Sequence, residues 1–304
     1  MRVLSLFDGI SCGMVALERA GIPVERYVAY EYDEKTADST PYAPYGMAAY
    51  VTSYNYPQIE QRGDVFKAKY NEGEFDLLIG GSPCTYWSIA KAGQDRETVS
   101  SGFGWELFMQ YVRALREVKP KYFLYENNES MSDAIKEEIT KQLGVEPIMI
   151  DSADFSAQNR KRLYWTNIPI SDYKASEEVF ADIEYEHDYR VVDFSKYKDT
   201  LRVNEDGDCW KWDTSGKGYY SQQSRARSKN IKMNTVPASG GDKNNIYLGD
   251  CKYRKLHPIE AERLQTLPDN YTSCIKSFAK RIGLVGNGWT VKVITHILSG
   301  LKNI

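Results

Sequence analysis

Short apolar runs punctuate the first half of the chain, and each stops at small or acidic residues. Residues 3–6, Val-Leu-Ser-Leu, lead into Phe7-Asp8-Gly9-Ile10-Ser11-Cys12-Gly13 and then into a helical stretch reaching Arg19. Residues 27–30 form a second run that ends in Glu31, and a third strand is expected to end near Gly63-Asp64-Val65. Residues 77–79, Leu-Leu-Ile, read as a parallel strand buried on both faces, turning sharply through Gly80, Gly81 and Ser82. Residues 121–125 deliver Glu126-Asn127-Asn128 to the same sheet edge, and a further short strand follows Arg162. Ligands of open α/β sheets bind just beyond the carboxyl ends of the strands, so the residues that end these runs are the candidates for chemistry. In the second half the pattern predicts short strands at 190–192 and 245–248. It also predicts a helix at 259–264, with Pro258 in the first turn after His257, and a C-terminal helix near 291–301.

Cys84 follows Pro83, which stiffens the loop that presents the thiol, and it reads as a candidate nucleophile. Taken alone, such a cysteine reads more readily as a small buried hydrophobe. The strand, glycine loop and helix start over residues 3–19 bring backbone amides to a ligand, as in a nucleotide site of the Rossmann kind, without the full three-glycine spacing. Glu31 stands where an acidic residue takes ribose hydroxyls, and Asp64 can accept from an adenine amino group. A single acidic residue at a strand end is ordinarily a solvated cap, whereas two in order beside a glycine loop form a pattern. Glu126 is the candidate partner of Cys84. Arg160 and Arg162 share one face if the stretch is extended, and a solvated basic stretch has the same composition.

Composition narrows the class without choosing within it. The chain has 304 residues, 42% hydrophobic and 13% aromatic, which are globular values, and no apolar stretch approaches membrane-spanning length. The apolar start is too short for a signal peptide and is needed as the first strand. Five cysteines without Cys-x-x-Cys spacing, and three histidines, predict a reducing cytoplasm with neither disulfide framework nor metal centre. The net charge of −3 argues against a nucleic-acid partner until its distribution is read. Residues 172–208 are acid-rich. Residues 217–255 carry Lys217, Arg225, Arg227, Lys229, Lys232, Lys243, Lys252, Arg254 and Lys255 against Asp242 and Asp250, interleaved with Tyr219 and Tyr220, a stripe suited to phosphates and base edges.

Together, eight blocks in order resemble the DNA cytosine-5 methyltransferase family over nearly the whole chain. They are Phe7-Asp8-Gly9, Glu31, Gly63-Asp64, Gly80-Gly81-Ser82-Pro83-Cys84, Glu126-Asn127, Gln158-x-Arg160-x-Arg162, the stretch 254–268 and Gly286-Asn287-Gly288-Trp289-Thr290-Val291. The details are most similar to the branch with animal de novo methyltransferases, and phage and bacterial relatives share them. The family often has Pro-Pro-Cys-Gln-Gly-Phe-Ser and Glu-Asn-Val where this chain has Ser82-Pro83-Cys84-Thr85-Tyr86-Trp87-Ser88 and Glu126-Asn127-Asn128. Residues 38–55 are longer than the family's usual link.

The resemblance implies an α/β fold: a doubly wound, Rossmann-like S-adenosylmethionine-dependent methyltransferase domain over residues 1–167. A smaller target recognition domain is expected at 168–280, and a segment returning to the catalytic domain at 281–304. It implies Cys84, Glu126, Arg160 and Arg162 as catalytic residues. S-adenosylmethionine contacts are expected at Phe7, Asp8, Gly9, Ile10, Ser11, Glu31, Tyr32, Asp64, Val65, Asn287, Gly288 and Trp289, and substrate contacts at Ser82, Pro83, Gln158, Arg225 and Arg227. Double-stranded DNA is the implied partner, lying between the domains with its target cytosine flipped out, and a cognate restriction enzyme is a further partner such chains can have. No metal and no membrane are called for, and a cytoplasmic location follows. A branch acting on transfer RNA carries a Cys-Phe-Thr signature absent here. A silent DNA-binding relative would lack the thiol or the carboxylate, and both are present.

Overall fold

The protein is described from a computed structural model, which covers residues 1–88, 96–187, 190–218, 224–238 and 244–303. Tyr219, Tyr220, Asp242 and Lys243 of the basic stripe lie outside the described residues. The chain divides into two compact units: Met1–Asp151 with Lys161–Tyr173 and Val293–Ile304, and Ser152–Arg160 with Lys174–Lys292. The second unit thus includes 152–160 and runs past 280, because Ser152, Gln158 and Arg160 bond to residues between 264 and 290.

The first unit is built on a seven-stranded sheet. Its strands are β1 (Arg2–Leu6), β2 (Arg26–Tyr30), β3 (Glu60–Gln61), β4 (Leu77–Gly80), β5 (Tyr122–Asn128), β6 (Ile148–Asp151) and β7 (Lys161–Thr166), in the order β3-β2-β1-β4-β5-β7-β6. β1, at the centre of the five parallel strands from β3 to β5, pairs with both β2 and β4, and the apolar runs read from the sequence are buried through β4 and nearly so through β1 and β2. β7 lies antiparallel between β5 and β6, which closes one side of an otherwise parallel sheet. The helices are α1 (Cys12–Arg19), α2 (Met47–Asn55), α3 (Phe103–Val118) and α4 (Asp133–Leu143). α4 shows why such segments are helical: Ser132 caps its start, Ile135, Ile139 and Leu143 recur every four residues on the buried face, and Gly144 ends it with φ 72°. Leu4, Leu6, Leu78, Phe108, Tyr111, Tyr125 and Trp165 join sheet and helices in one core.

Between β1 and β4 the strand order changes direction, since the chain moves from β1 outward to β2 and β3 and returns to β4 on the other side. That switch point is where the loops after neighbouring strands diverge and leave a ligand crevice. The long stretch 38–55, unexplained by the sequence, forms the approach to α2. Thr52 of α2 bonds to Ser11 Oγ at 2.8 Å, and the Tyr45 ring covers Gly63, where an added Cβ would meet it at 2.5 Å. The insertion therefore backs both the first loop and the Gly63-Asp64 turn.

The second unit contains α5 (Phe180–Ile183) and a six-stranded sheet of β8 (Val191–Asp193), β9 (Arg202–Val203), β10 (Cys209–Lys211), β11 (Arg225–Arg227), β12 (Asn245–Gly249) and β13 (Lys252–Lys255), ordered β8-β13-β12-β11-β10-β9. Stacked rings fill one face: Phe194 on Trp212 at 4.2 Å and Trp210 on Tyr247 at 3.8 Å. α6 (Pro258–Leu264) and α7 (Phe278–Asn287) follow, and α8 (Val291–Ser299) ends the helical series. Pro258 occupies the first turn of α6, and His257 caps it, its Nδ1 accepting from Ile259 N at 3.2 Å. Burial holds His257 down at about 4, so the ring stays neutral and Nδ1 stays free to accept.

Candidate active site

The loop after β1 is wound tightly. Phe7, Gly9 and Ser11 all take φ values near +57°, a conformation that costs a side chain of the order of 1 kcal/mol and must be held by its surroundings. The Asp8 carboxylate does much of the holding, accepting from Tyr27 Oη at 2.7 Å and from the Ser11 hydroxyl. Removal of solvent raises the Asp8 pKa. Ile10 and Ser11 are buried, so of the five expected contacts here Phe7, Asp8 and Gly9 are the more open positions and Ser11 acts through Asp8 and Thr52. An added Cβ at Gly9 would meet nothing within 4 Å, which leaves open space beside the backbone.

Gly9 N donates to Glu31 Oε2 at 2.9 Å, tying the ends of β1 and β2 together. Crowding by protein atoms pushes Glu31 up to about 7, while the Gly9 amide opposes that shift. Tyr32 is exposed beside it. Asp64 Oδ1 accepts from Phe66 N at 2.9 Å, and Arg113 of α3 donates to the carbonyls of Val65 and Ala68, fixing that turn. Val65 is buried. Glu31 and Asp64 are therefore brought to one edge of one unit, at the ends of adjacent strands, with the Gly9 loop between β1 and β2.

The second loop follows β4. An added Cβ at Gly80 would fall 2.5 Å from Leu6 O, and one at Gly81 would fall 2.7 Å from Glu126 O and 2.9 Å from Glu126 Oε2. Glycine is required at both positions because neighbouring strands come that close. Ser82 is buried and hydrogen-bonded to Tyr125 Oη at 2.7 Å, and Asn127 Nδ2 donates to Ser82 O at 3.1 Å. Pro83 then leads into a single 3₁₀ turn, Cys84–Tyr86, with Cys84 half-buried and free of any disulfide. Asn128 Nδ2 donates to Cys84 O at 3.3 Å. Ser82 thus supports the loop from beneath and does not offer its hydroxyl outward.

Glu126 projects from β5 over Gly81, and Arg162 of β7 forms an ion pair with it, Nε to Oε1 at 3.0 Å, with the side chains only 12% and 15% exposed. Charge-assisted and sheltered, this pair fixes the carboxylate's orientation. Glu126 and Arg162 pair across adjacent strands of the first unit, and Asn128, two residues after Glu126, ties the Cys84 turn to the same strand. Tyr125, Asn127 and Asn128 brace the loop, and sequence reasoning does not single them out for that role. The adjacent amides of Asn127-Asn128 beside Glu126 are the available signal.

Gln158 and Arg160 take different parts from those expected. Gln158 is fully buried, donating to Leu264 O and Gln265 Oε1 and accepting from Val236 N at 2.7 Å. Arg160 is 5% exposed, and its Nη2 donates to Gly286 O and Gly288 O at 3.2 and 2.9 Å. A buried amide or guanidinium committed to main-chain carbonyls is a framework group, since freeing it would strand those carbonyls. Together with Gln265 and Thr290, they shape the turn at Asn287, Gly288 and Trp289, where Asn287 is exposed and Gly288 buried.

The basic stripe also divides. Lys232 Nζ donates to the carbonyls of Ala153, Ser156, Ser176 and Glu178, Arg254 pairs with Glu260 at 2.7 Å in the interior, and Lys229 pairs with Glu184 at 3.0 Å. These three, counted in the sequence as groups for phosphate, serve the unit's own packing. Arg225 is exposed opposite Lys211 in the β10–β11 pairing, Lys217 is exposed, and Arg227 is half-buried against Asn234. Among the described residues no cluster of His, Cys, Asp or Glu could hold a metal ion, and no helix is long and apolar enough to cross a membrane.

Comparison with known proteins settles the family. Residues 1–303 match the family described as C-5 cytosine-specific DNA methylase. The chain belongs to that family. A relative within it, the type II methyltransferase M.FnuDI of Fusobacterium nucleatum, is 27% identical over 345 residues, covering 99% of this chain and 94% of that protein. The orphan methyltransferase M.SPRI of Bacillus phage SPR is 32% identical over 175 residues, 54% of this chain and 37% of the phage protein. The match spans about a third of the length of that phage protein and of its counterpart from phage rho11s, 37% and 32% respectively. The C-5 methylase chain shares its fold with the S. pombe Dnmt2 methyltransferase, at a TM-score of 0.66 and 15% identity over 100% of this chain and 98% of that one. It shares it too with a prophage-encoded modification methyltransferase from E. coli, TM-score 0.62 and 18% identity over 100% and 99%.

Proposed function

We propose that the protein transfers a methyl group to carbon 5 of a flipped-out cytosine in double-stranded DNA, with S-adenosylmethionine as donor and Cys84 as covalent nucleophile. One observation carries this reading beyond family membership. β4 and β5 lie side by side, and the Glu126 carboxylate stands over Gly81, three residues before the thiol.

Carbon 5 of cytosine is a poor nucleophile while the ring is aromatic. Addition of the Cys84 thiolate to carbon 6 breaks the aromaticity and leaves an enamine. The thiolate is the attacking form of a cysteine, so the Cys84 proton must leave as the sulfur adds to carbon 6. Glu126 holds a proton at ring nitrogen 3 and neutralises the charge that develops there as carbon 6 is attacked. Arg162 keeps that carboxylate aimed. A base, for which water suffices, takes the carbon 5 proton, and Cys84 leaves by elimination. A stacked base exposes neither carbon to a thiol, so the target must leave the helix.

S-adenosylmethionine, when bound, supplies an electrophilic methyl group on a cationic sulfur. The donor set fits it: paired oxygens on Glu31 for vicinal hydroxyls, Asp64 for an exocyclic amine, and open space over the Gly9 backbone. Hydroxyl donors favour ionised Glu31, and burial pushes this carboxyl up to about 7. Affinity for S-adenosylhomocysteine is therefore expected to be full above that pH and to weaken about tenfold from pH 8 to pH 6. Calorimetric titration across this range checks it, and Glu31→Gln should flatten the dependence.

The second unit is the proposed target recognition domain, with Arg225 and Arg227 as its candidate readers. If Arg225 reads a guanine edge, Arg225→Ala is expected to cost about 1–3 kcal/mol and relax one position of the site. A phosphate contact would weaken all sequences alike and lower the salt slope by about one. Binding and site choice unchanged in the Arg225→Ala, Arg227→Ala double variant would place recognition elsewhere. The function itself is tested by bisulfite sequencing of DNA incubated with protein and S-adenosylmethionine. Protection of cytosine in a fixed sequence context is expected; protection confined to RNA would transfer the reading to the other branch.

A further inference from the structure

We infer that Arg96 is a positioning residue for the methyl transfer, locking the limb that carries Cys84 to the limb that carries Glu126. The inference rests on the proposed function and adds a residue that the motif blocks do not include. Both limbs belong to the first unit. One leaves β4 through Cys84 and Trp87 and comes back through Arg96, Glu97 and Thr98 to α3. The other leaves β5 through Glu126 and Asn128 and passes Ser130 and Ser132 to α4.

Among the described residues, hydrogen bonds cross between them at several points beyond Asn127 on Ser82 O. Asn128 Nδ2 donates to Cys84 O at 3.3 Å, Arg96 Nη2 donates to Ser130 O at 2.6 Å, and Ser132 Oγ donates to Thr98 O at 2.6 Å. Arg96 also reaches back along its own limb, from Nε to Trp87 O at 3.0 Å. One planar guanidinium therefore bridges a carbonyl three residues beyond the nucleophile and a carbonyl four residues beyond the carboxylate.

The parts it joins are themselves rigid. Trp87 is fully buried, its Nε1 donates to Glu97 Oε2 at 3.0 Å, and Glu97 Oε1 accepts from Gly104 N at the start of α3, also at 3.0 Å. Little slack is left there, since an added Cβ at Gly104 would meet Glu97 Oε2 at 2.6 Å and Tyr86 Cβ at 2.7 Å. With Trp87 anchored in the core, what Arg96 controls is the separation of the two limbs. Thiol addition to carbon 6 while nitrogen 3 is held by Glu126 requires that separation to match one ring, and a misplacement of about 1 Å costs on the order of 100-fold in rate. Lysine could satisfy one of the two carbonyls but not span both with a planar fork. Asn128 occupies a position where the family often has valine, so this chain adds a second brace at the nucleophile itself.

The test uses the full chain and duplex DNA in which cytosine is replaced by 5-fluorocytosine, with S-adenosylmethionine present. After Cys84 adds to carbon 6 and carbon 5 is methylated, elimination would require loss of fluorine as a cation. The adduct persists and can be counted on a denaturing gel. Arg96→Met is expected to form it about 100-fold more slowly and Arg96→Lys about tenfold more slowly, with affinity for S-adenosylhomocysteine within about twofold of wild type. In the Arg96→Met, Asn128→Val double variant the loss should be smaller than the product of the single losses, because one geometry is shared. Adduct formation by Arg96→Met within about threefold of wild type overturns the inference. So does a loss in Arg96→Lys that is matched by an equal loss of S-adenosylhomocysteine affinity, since Arg96 would then be holding the fold as a whole. A wild-type protein that forms no adduct while binding S-adenosylhomocysteine overturns the proposed chemistry instead.

Discussion

Cys84→Ala is expected to abolish methylation of DNA and to form no adduct with 5-fluorocytosine, while S-adenosylhomocysteine binds as it does to wild type. The expectation follows from the separation of roles within one unit. The groups assigned to the donor, Glu31, Asp64 and the Gly9 loop, lie at the ends of β1, β2 and the strand beyond, and none depends on the sulfur. The loop bearing Cys84 is held by Ser82 on Tyr125, by Asn127 on Ser82 O and by Asn128 on Cys84 O, all through groups other than the thiol. Removing the sulfur of a half-buried side chain leaves these bonds standing. Without a nucleophile, carbon 5 stays aromatic and unreactive, so activity should fall below detection. Turnover near the wild-type value in the alanine variant would eliminate the covalent route.

Glu126→Gln is expected to slow methylation by roughly 100-fold to 10,000-fold, the range for a positioned acid–base group, with fold and DNA binding retained. The amide is nearly isosteric, and the β5–β7 contact survives because the backbone ladder between the two strands carries it. What it loses is the capacity to share a proton with ring nitrogen 3 in the transition state. Arg162 is then left beside a neutral partner in a sheltered place, which adds to the cost. Single-turnover kinetics separate this from a binding defect. A loss of less than about threefold would assign Glu126 to structure, as the anchor of Arg162 and the wall over Gly81.

Both predictions concern residues whose proposed roles are legible in the amino-acid sequence, and for a definite reason. Chemistry at a strand end needs a particular side chain at a particular place, so Cys84 after Pro83 and Glu126 after an apolar run are marked by residue type and order alone. Gly80 and Gly81 are equally legible, and the structure supplies their reason: backbone or carboxylate oxygens within 2.9 Å of where a Cβ would be. The strands themselves are readable because burial on both faces of a parallel sheet requires uninterrupted apolar runs.

Other residues mislead, or leave no signal, because their roles depend on partners far along the chain. Gln158, Arg160, Lys232 and Arg254 look like polar groups offered to a substrate, yet each is buried or committed to partners that sequence distance hides: Gln158 to Gln265, Arg160 to Gly288, Lys232 to Ala153. Arg96 is unremarkable in the sequence for the same reason, since a bond to a main-chain carbonyl leaves no mark on the identity of its acceptor. The insertion over 38–55 gains a purpose only with Thr52 and Tyr45 set against Ser11 and Gly63.

The sequence by itself determined the strand ends, the candidate nucleophile, its candidate carboxylate partner and the order of the family's blocks, because these depend on residue identity, local periodicity and block order. The tertiary structure alone decided which polar groups face outward and which are consumed in holding the loops, because a hydrogen bond is satisfied by geometry in space, and geometry in space is what chain order does not record.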